Sequence, residues 1–265
     1  MGRTRGTWST KGTWFAGAAL AAVLALTGYA VLNGGDEDTD TNKGGSTPSA
    51  SVSASPRPSA TYAQPDDWTE PSRWVALPRG KRTNERGSEV GFPHTTEGAA
   101  AMAAAANTVS IEADRDTVDE QLRIYHSYVS ETDQSDENAE KIELAAIETD
   151  KSLHKQMKAP VGEPLPSGAY MRSSVVGYKI VRESDDEVSV WLLSRAAQKA
   201  GETAKESVDY TRILNAVVWE DGDWKLSGAA TQRALGDAQK DAPKIVAPGD
   251  AAFNSAGWVA IREAS

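Results

Sequence analysis

Residues 14–33, Trp-Phe-Ala-Gly-Ala-Ala-Leu-Ala-Ala-Val-Leu-Ala-Leu-Thr-Gly-Tyr-Ala-Val-Leu-Asn, form an apolar run without a single charge. About 20 apolar residues, rising 1.5 Å each as a helix, cover the roughly 30 Å of a bilayer's hydrocarbon. Trp14 and Tyr29 lie near the two ends, where amphipathic rings prefer the interface. Arg3, Arg5 and Lys11 precede the run; Asp36, Glu37, Asp38 and Asp40 follow it. Basic flanks stay on the cytoplasmic side. The run therefore predicts a single transmembrane helix with residues 1–13 as a cytoplasmic basic tail and the bulk of the chain outside the cell membrane. The competing reading is a cleaved signal peptide, with Gly28-Tyr29-Ala30 as its cleavage site. An ordinary signal core spans only about 7–15 residues, however. The chain has no cysteine, which excludes a lipid-modified cysteine as the anchor.

The charge is uneven. The chain carries −10 in total, the first 33 residues +3, residues 34–67 −4, and residues 68–265 −9. Nucleic-acid binding is dominated by neutralising phosphates, so an acidic domain of this kind is expected to take no nucleic acid. Without cysteine there is no disulfide framework, and the fold must rest on its own core. Residues 34–67 are rich in Ser, Thr, Pro and Gly and poor in large apolar side chains. Such a segment buries too little surface to offset its ordering entropy, which predicts a disordered linker. As a coil it reaches about 30 Å; extended, on the order of 100 Å.

Residues 68–265 are long enough for one sizeable domain. Residues 68–93 read as an irregular strap pinned by Trp68, Trp74, Leu77 and Phe92. Three helices are expected next. Thr95 or Thr96 caps the first, over residues 99–109, whose alanines allow close packing. Asp116 caps the second, with Asp119 three residues on and Val118, Leu122, Tyr125 and Val129 as its stripe. The third runs over 137–158, with Ile142, Ala146 or Ile147, Leu153 and Met157 inward, and ends before Pro160. The period then becomes two. Strands are expected over 170–182, with Val176, Tyr178 and Ile180 on one face, and over 188–195, 210–220 and 223–231. A loop is expected at 196–207 and a two-residue hairpin at Asp221-Gly222. The tail from Ala234 docks through Phe253 and Trp258. Helices followed by an antiparallel meander give an α+β fold, with helices on one face of a curved sheet.

That element order, together with Trp-Glu-Asp-Gly-Asp-Trp-Lys-Leu at 219–226, resembles the nuclear-transport-factor-2-like fold. Gly91-Phe92-Pro93-His94-Thr95-Thr96-Glu97-Gly98-Ala99-Ala100, with Trp74-Val75-Ala76-Leu77-Pro78 before it and Gly257-Trp258-Val259 near the end, is similar to a family of actinobacterial membrane-anchored proteins. Members of that family accompany integrative conjugative elements and share the layout of the type IV secretion scaffold subunit. The resemblance spans roughly residues 68–260; Pro93 departs from the family's alanine. It implies a scaffold or assembly role, possessed by layout rather than by any catalytic motif.

The chemistry-bearing residues add little. His94, His126 and His154 have no metal-binding helical spacing, and no cysteine completes a site. Gly87-Ser88-Glu89-Val90-Gly91 misses the nucleophile-elbow pattern, and there is neither a P-loop nor a dinucleotide fingerprint. Tyr125, Tyr178 and Asp209 would be the groups to watch in an enzymatic cone, but tyrosines at such positions are usually packing. Trp191 is out of phase with Val188, Val190 and Leu192, so it faces the other side of the sheet with Leu193 beside it. Trp191 and Leu193 are thus either a partner contact or residues covered by the strap or the tail. The sequence predicts a non-enzymatic, single-pass membrane protein without cofactor or metal, partnered by the bilayer and by other envelope proteins or itself. The alternative is an exported ligand-binding or enzymatic domain of the same fold.

Overall fold

The computed structural model describes residues 67–113, 115–238 and 241–262. The expected basic tail, apolar run and all but Asp67 of the expected linker lie outside them. Among the described residues no helix is long and apolar enough to cross a membrane.

Three helices precede the long strands, as the pattern predicts. α1 (Thr96–Ala106) starts where the Thr95 side chain accepts from the Gly98 N–H, with Glu97 in its first turn. It stops at Asn107, two residues short of the expected end, and β-branched Val109 opens β4 (Val109–Ile111) instead. α2 (Thr117–Tyr128) is capped by Asp116, whose carboxylate accepts from the Asp119 N–H. α3 (Asp136–Met157) is capped by Ser135 and ended by Lys158 in the left-handed conformation at φ 56°.

The inward faces differ in part from expectation. α3 buries Ile142, Ala146, Leu153 and Met157 as expected, and also Thr149 and His154. α2 buries Glu120, Gln121, Ile124, Tyr125 and Tyr128, while Val118 and Leu122 are only half-buried. The helix is wedged between α3 and the strap, so two of its faces are covered, and one of them is polar.

The sheet is built from β5 (Ala169–Glu183), β6 (Glu187–Ala200), β7 (Ser207–Glu220) and β8 (Asp223–Leu226), all antiparallel. β6 and β7 extend through most of the expected 196–207 loop, leaving only 201–206 between them. Backbone pairing carries this arm; Ala196 and Ala197 are buried in it, and Arg195 pairs with Glu206 at its edge. Asp221 (φ 50°) and Gly222 (φ 81°) both take positive φ, the requirement of a tight I′ turn matched to strand twist. The expected fourth strand stops at Leu226. The Ser227 hydroxyl accepts from the Ala230 N–H and the Asp133 carboxylate from the Gly228 N–H, and these two caps start α4 (Gly228–Ala238).

β5 carries irregularities between Val175 and Gly177 and between Ile180 and Arg182. Each extra residue shifts the alternation by one. Val175 and Tyr178 therefore share the helix-side core, whereas Val176 packs on the opposite face. The expected common face of Val176, Tyr178 and Ile180 holds only for the last two.

The sheet is covered on both sides. α1, α2 and α3 lie on one face over Val188, Val190, Leu192, Ile213 and Val217. On the other face α4 contributes Ala230, Ala234 and Ala238, and the tail contributes Phe253 and Trp258, over Trp191, Leu193 and Leu214. Phe253 sits in α5 (Ala251–Ser255). After it, β9 (Val259–Ile261) pairs antiparallel with β5 and parallel with β1 (Trp74–Val75) of the strap. The strap also holds a small hairpin of β2 (Arg82–Thr83) and β3 (Glu89–Val90). The strap and tail are joined where the Ser72 N–H donates to Asn254 Oδ1 and Trp68 lies against Gly249.

Candidate functional site: the junction of segment 91–98 with the 219–224 hairpin

The two motifs that carried the resemblance meet at one corner of the domain. Asp223, at the start of β8 and 6 % exposed, accepts three backbone N–H groups. Gly91 donates to Oδ2 at 2.8 Å, Phe92 to Oδ1 at 2.9 Å and Trp224 to Oδ1 at 3.0 Å. Three backbone donors converging on one carboxylate make a short, well-aligned clasp. Gly91 needs its φ of 77° to present its N–H there. Phe92 is thereby buried in the main core.

The Pro93 carbonyl is the second clasp. It accepts from the Trp224 indole at 2.9 Å and from the Thr95 N–H at 2.8 Å. A Cβ on Gly98 would stand 1.9 Å from that oxygen, so only glycine fits the first turn of α1. Pro93 acts here through its carbonyl, which every residue has.

His94 closes the corner. Its ring stacks on Trp219 with centroids 3.9 Å apart and 9° between planes, and Trp224 meets both rings edge-on. His94 Nε2 faces the Asp185 carbonyl at 2.7 Å and the Asp186 carboxylate at 3.1 Å. Two acceptors at one nitrogen place a proton on Nε2. Thr96 donates to Glu183, so both ends of the β5–β6 turn are tied to the start of α1. His94 thus packs and anchors.

Next to this corner, carboxylate oxygens of Glu131, Glu220 and Asp221 lie within 4.8 Å of one another. Both Glu220 oxygens are already engaged, one by the Ser130 hydroxyl at 2.5 Å and one by the Glu131 N–H at 2.8 Å. The group is an exposed acidic rim fastened to the turn after α2.

Sequence reasoning missed the polar face of α2. Glu120 is 1 % exposed, and forks onto Arg123 at 2.7 and 2.8 Å. Arg123 also donates to Ser88 at 2.6 Å, and Asn84 to Ser127 at 3.0 Å, fixing the β2–β3 hairpin. Burial works against the charge of Arg123, but the Glu120 carboxylate outweighs it and its pKa is raised. Burial pushes Tyr128 up as well, moderated by Ser88 and Arg123. The only sequence signal was Glu120 and Arg123 at a helical i, i+3 spacing, common on solvated faces too.

Tyr178 lies in the core with its pKa raised by burial, and Tyr125 packs between α2 and α3. Asp209 is exposed on the β7 arm, so these three do not converge. His126 is exposed; burial and nearby Arg86 lower its pKa. Trp191 (8 % exposed) and Leu193 (0 %) lie beneath α4, Phe253 and Trp258. Of the two readings for that face, the structure has it covered by the chain's own tail, and it offers a partner no free surface.

The family model described as Domain of unknown function (DUF8175) matches residues 35–244. The chain belongs to this family. No curated protein and no solved structure matches it. The matched span contains both halves of the junction, from Gly91 to Trp224, and ends before Phe253 and Trp258.

Proposed function

We propose that this chain is a single-pass membrane protein whose exported domain, of the nuclear-transport-factor-2-like type, serves as a scaffold or assembly component, in the manner of a conjugative or type IV secretion-like apparatus. Residues 14–33 supply the anchor and the acidic, Ser/Pro-rich segment after them supplies the reach. Three helices ahead of a bulged antiparallel meander support the fold reading, and α4 with the tail is an addition to it. One observation carries the role. The space between helices and sheet, where an enzymatic or ligand-binding version keeps its cone, is filled by Met102, Leu192, Tyr128 and Trp224, each no more than 2 % exposed. Three sets of its buried polar groups answer one another, Glu120 with Arg123, Asp223 with backbone donors, and Asn107 with Asn215 at 2.7 Å, while the Ser194 hydroxyl is left without a partner. A domain closed in this way works through its surface and its position.

The test is crosslinking in intact cells, with and without deletion of residues 14–33. Envelope-protein crosslinks that vanish with the anchor support the proposal. Crosslinks that persist unchanged, or a small molecule retained by the purified domain, count against it.

A further inference from the structure

His154 stands in the last turn of α3, 4 % exposed, with hydrogen-bond acceptors at both ring nitrogens. Nδ1 faces the Asp150 carbonyl at 2.9 Å and the Asp150 carboxylate at 3.1 Å. Nε2 faces the Glu163 carbonyl at 2.9 Å, in the segment that joins α3 to β5. A neutral imidazole carries one N–H and one lone pair; only the imidazolium donates at both nitrogens. The two contacts are therefore both hydrogen bonds only while the ring is charged. Asp150 is itself positioned from α2, where the Thr117 hydroxyl donates to its other oxygen at 3.0 Å. Burial opposes a charge here, but the two carbonyls and the Asp150 carboxylate outweigh it, and the pKa is raised above 6.5. Asp150 is the charged side chain whose field acts on the ring. Glu163 is an exposed residue that meets the ring through its carbonyl, and Lys151, Lys155 and Lys158 at this end of the helix are exposed too.

Residues 160–165 have few ties of their own. Pro160 and Pro164 have no N–H to donate, and Gly162 turns the chain at a positive φ of 84°. Among the described residues no backbone group of 160–165 pairs with another backbone group. Just beyond, the chain is fixed again: the Ala169 N–H donates to the Pro166 carbonyl at 2.8 Å, and the Ser167 hydroxyl to Glu202 at 2.7 Å. Within the segment Leu165 is 6 % exposed in the main core, whereas Val161 is 58 % exposed. We propose that His154 is a proton-operated clasp: its doubly protonated ring holds residues 160–165 against the end of α3, and loss of the Nε2 proton to solvent lets them go. The proton leaves Nε2 rather than Nδ1, because Nδ1 faces a carboxylate as well as a carbonyl. The lone pair then exposed on Nε2 stands against the Glu163 oxygen and repels what the N–H had attracted. The clasp is complete below about 6.5 and is lost as pH rises through the folded value. Release frees Leu165 to join Val161, so an apolar segment is presented in mild alkali and withdrawn in mild acid. The device goes beyond the scaffold reading and does not rest on it, since it needs neither anchor nor partner.

The chain contains no cysteine, so one introduced residue carries a probe alone. A nitroxide on Val161→Cys reports the segment, and one on Ser152→Cys, exposed on α3, reports the helix. Full-length protein in detergent is taken from about pH 5 to about pH 9, the range in which histidine titrates. The label at 161 is expected to pass from ordered to mobile in a single-proton step, its mobile fraction rising about fivefold or more, while the label at 152 stays unchanged. NMR of the nitrogen-labelled ring is expected to put the His154 titration at the same midpoint and the proton of the neutral ring on Nδ1. His126→Gln should leave the step in place and His154→Gln should remove it. Asp150→Asn, which keeps an oxygen for Thr117 but no carboxylate at Nδ1, should lower the midpoint by about one pH unit or more. A label at 161 indifferent to pH, a step that survives in folded His154→Gln protein, or a neutral ring protonated at Nε2 overturns the inference. Should His154→Gln fail to fold, the Asp150→Asn midpoint decides, and an unshifted step overturns the inference as well. Circular dichroism over the same range separates release of the segment from global unfolding; helical signal lost in parallel with the label's ordering counts against the clasp.

Discussion

Asp223 fastens the strap to the last hairpin, and replacing it yields a graded series. Three backbone donors at 2.8, 2.9 and 3.0 Å converge on its carboxylate in a site 6 % exposed. Hydrogen bonds to a charged group contribute about 1.5–3 kcal/mol each, and three to one group do not add fully. Allowing for water entering the vacated site, Asp223→Ala is expected to cost about 3–5 kcal/mol. Asp223→Asn keeps the Oδ1 bonds to Phe92 and Trp224 but sets an amide N–H₂ against the Gly91 N–H, at about 1.5–3 kcal/mol. Lys225→Met should cost about 1–2 kcal/mol, mostly from losing the ammonium's bond to the Ser127 carbonyl at 2.9 Å, since Asp223 stands 3.7 Å away in a partly exposed pair. For a domain of this size these values correspond to about 2–4 °C of midpoint per kcal/mol. Calorimetry of the full-length protein in detergent gives the midpoints. Hydrogen exchange locates the damage, which should fall on residues 79–93 before it reaches β5 and β6. An Asp223→Asn protein as stable as the parent, or a loss from Lys225→Met as large as that from Asp223→Ala, refutes the clasp as the origin of the effect.

Two glycines should fail for different reasons: Gly98→Ala by collision with the Pro93 carbonyl, costing more than about 2 kcal/mol, and Gly222→Ala by positive φ alone, about 1 kcal/mol, since nothing lies within 4 Å of its Cβ site; chemical unfolding ranks them. Glu120→Ala leaves Arg123 buried without its carboxylate and should cost about 3–5 kcal/mol, whereas replacing both by apolar residues should recover much of that, which a double-mutant cycle measures. His154 is desolvated, which lowers its pKa, yet carbonyls of Asp150 and Glu163 and the Asp150 carboxylate prevail and raise it above 6.5. A raised folded pKa means that its stabilisation is complete below about 6.5 and is lost as pH rises through the folded value; His154→Gln should flatten the stability profile over that window, and an unchanged profile would show that another group titrates.

The helices were legible because their signals are local: Thr95 and Asp116 cap the first two with side chains that stand out in the sequence, and the third announces itself by its apolar stripe and by Pro160. The long strands were legible as period two, but their ends were not, because the arm of β6 and β7 is mostly polar and Ala-rich and shows no apolar alternation. Val176 was assigned to the wrong face because a bulge is invisible to alternation. The junction was half legible. Both motifs stood out, but nothing in either says that Gly91 and Asp223 meet across 132 residues. Glu120 was missed because a buried charge looks, in sequence, like an exposed one.

The parallel pairing of Trp74 with Ala260 has a consequence in time. The strap is made before α1 and its partner strand after β8 and α5, so while everything between them is synthesised β1 has nothing to pair with. Until Val259–Ile261 arrive, the edge of β5 at Gly177 and Tyr178 is open and Trp74 lacks its neighbour. Closure over so long a separation is slow compared with the hairpins it completes. The domain thereby closes from its far end: β5 loses its exposed edge, and the strap its freedom, only once β9 has been delivered.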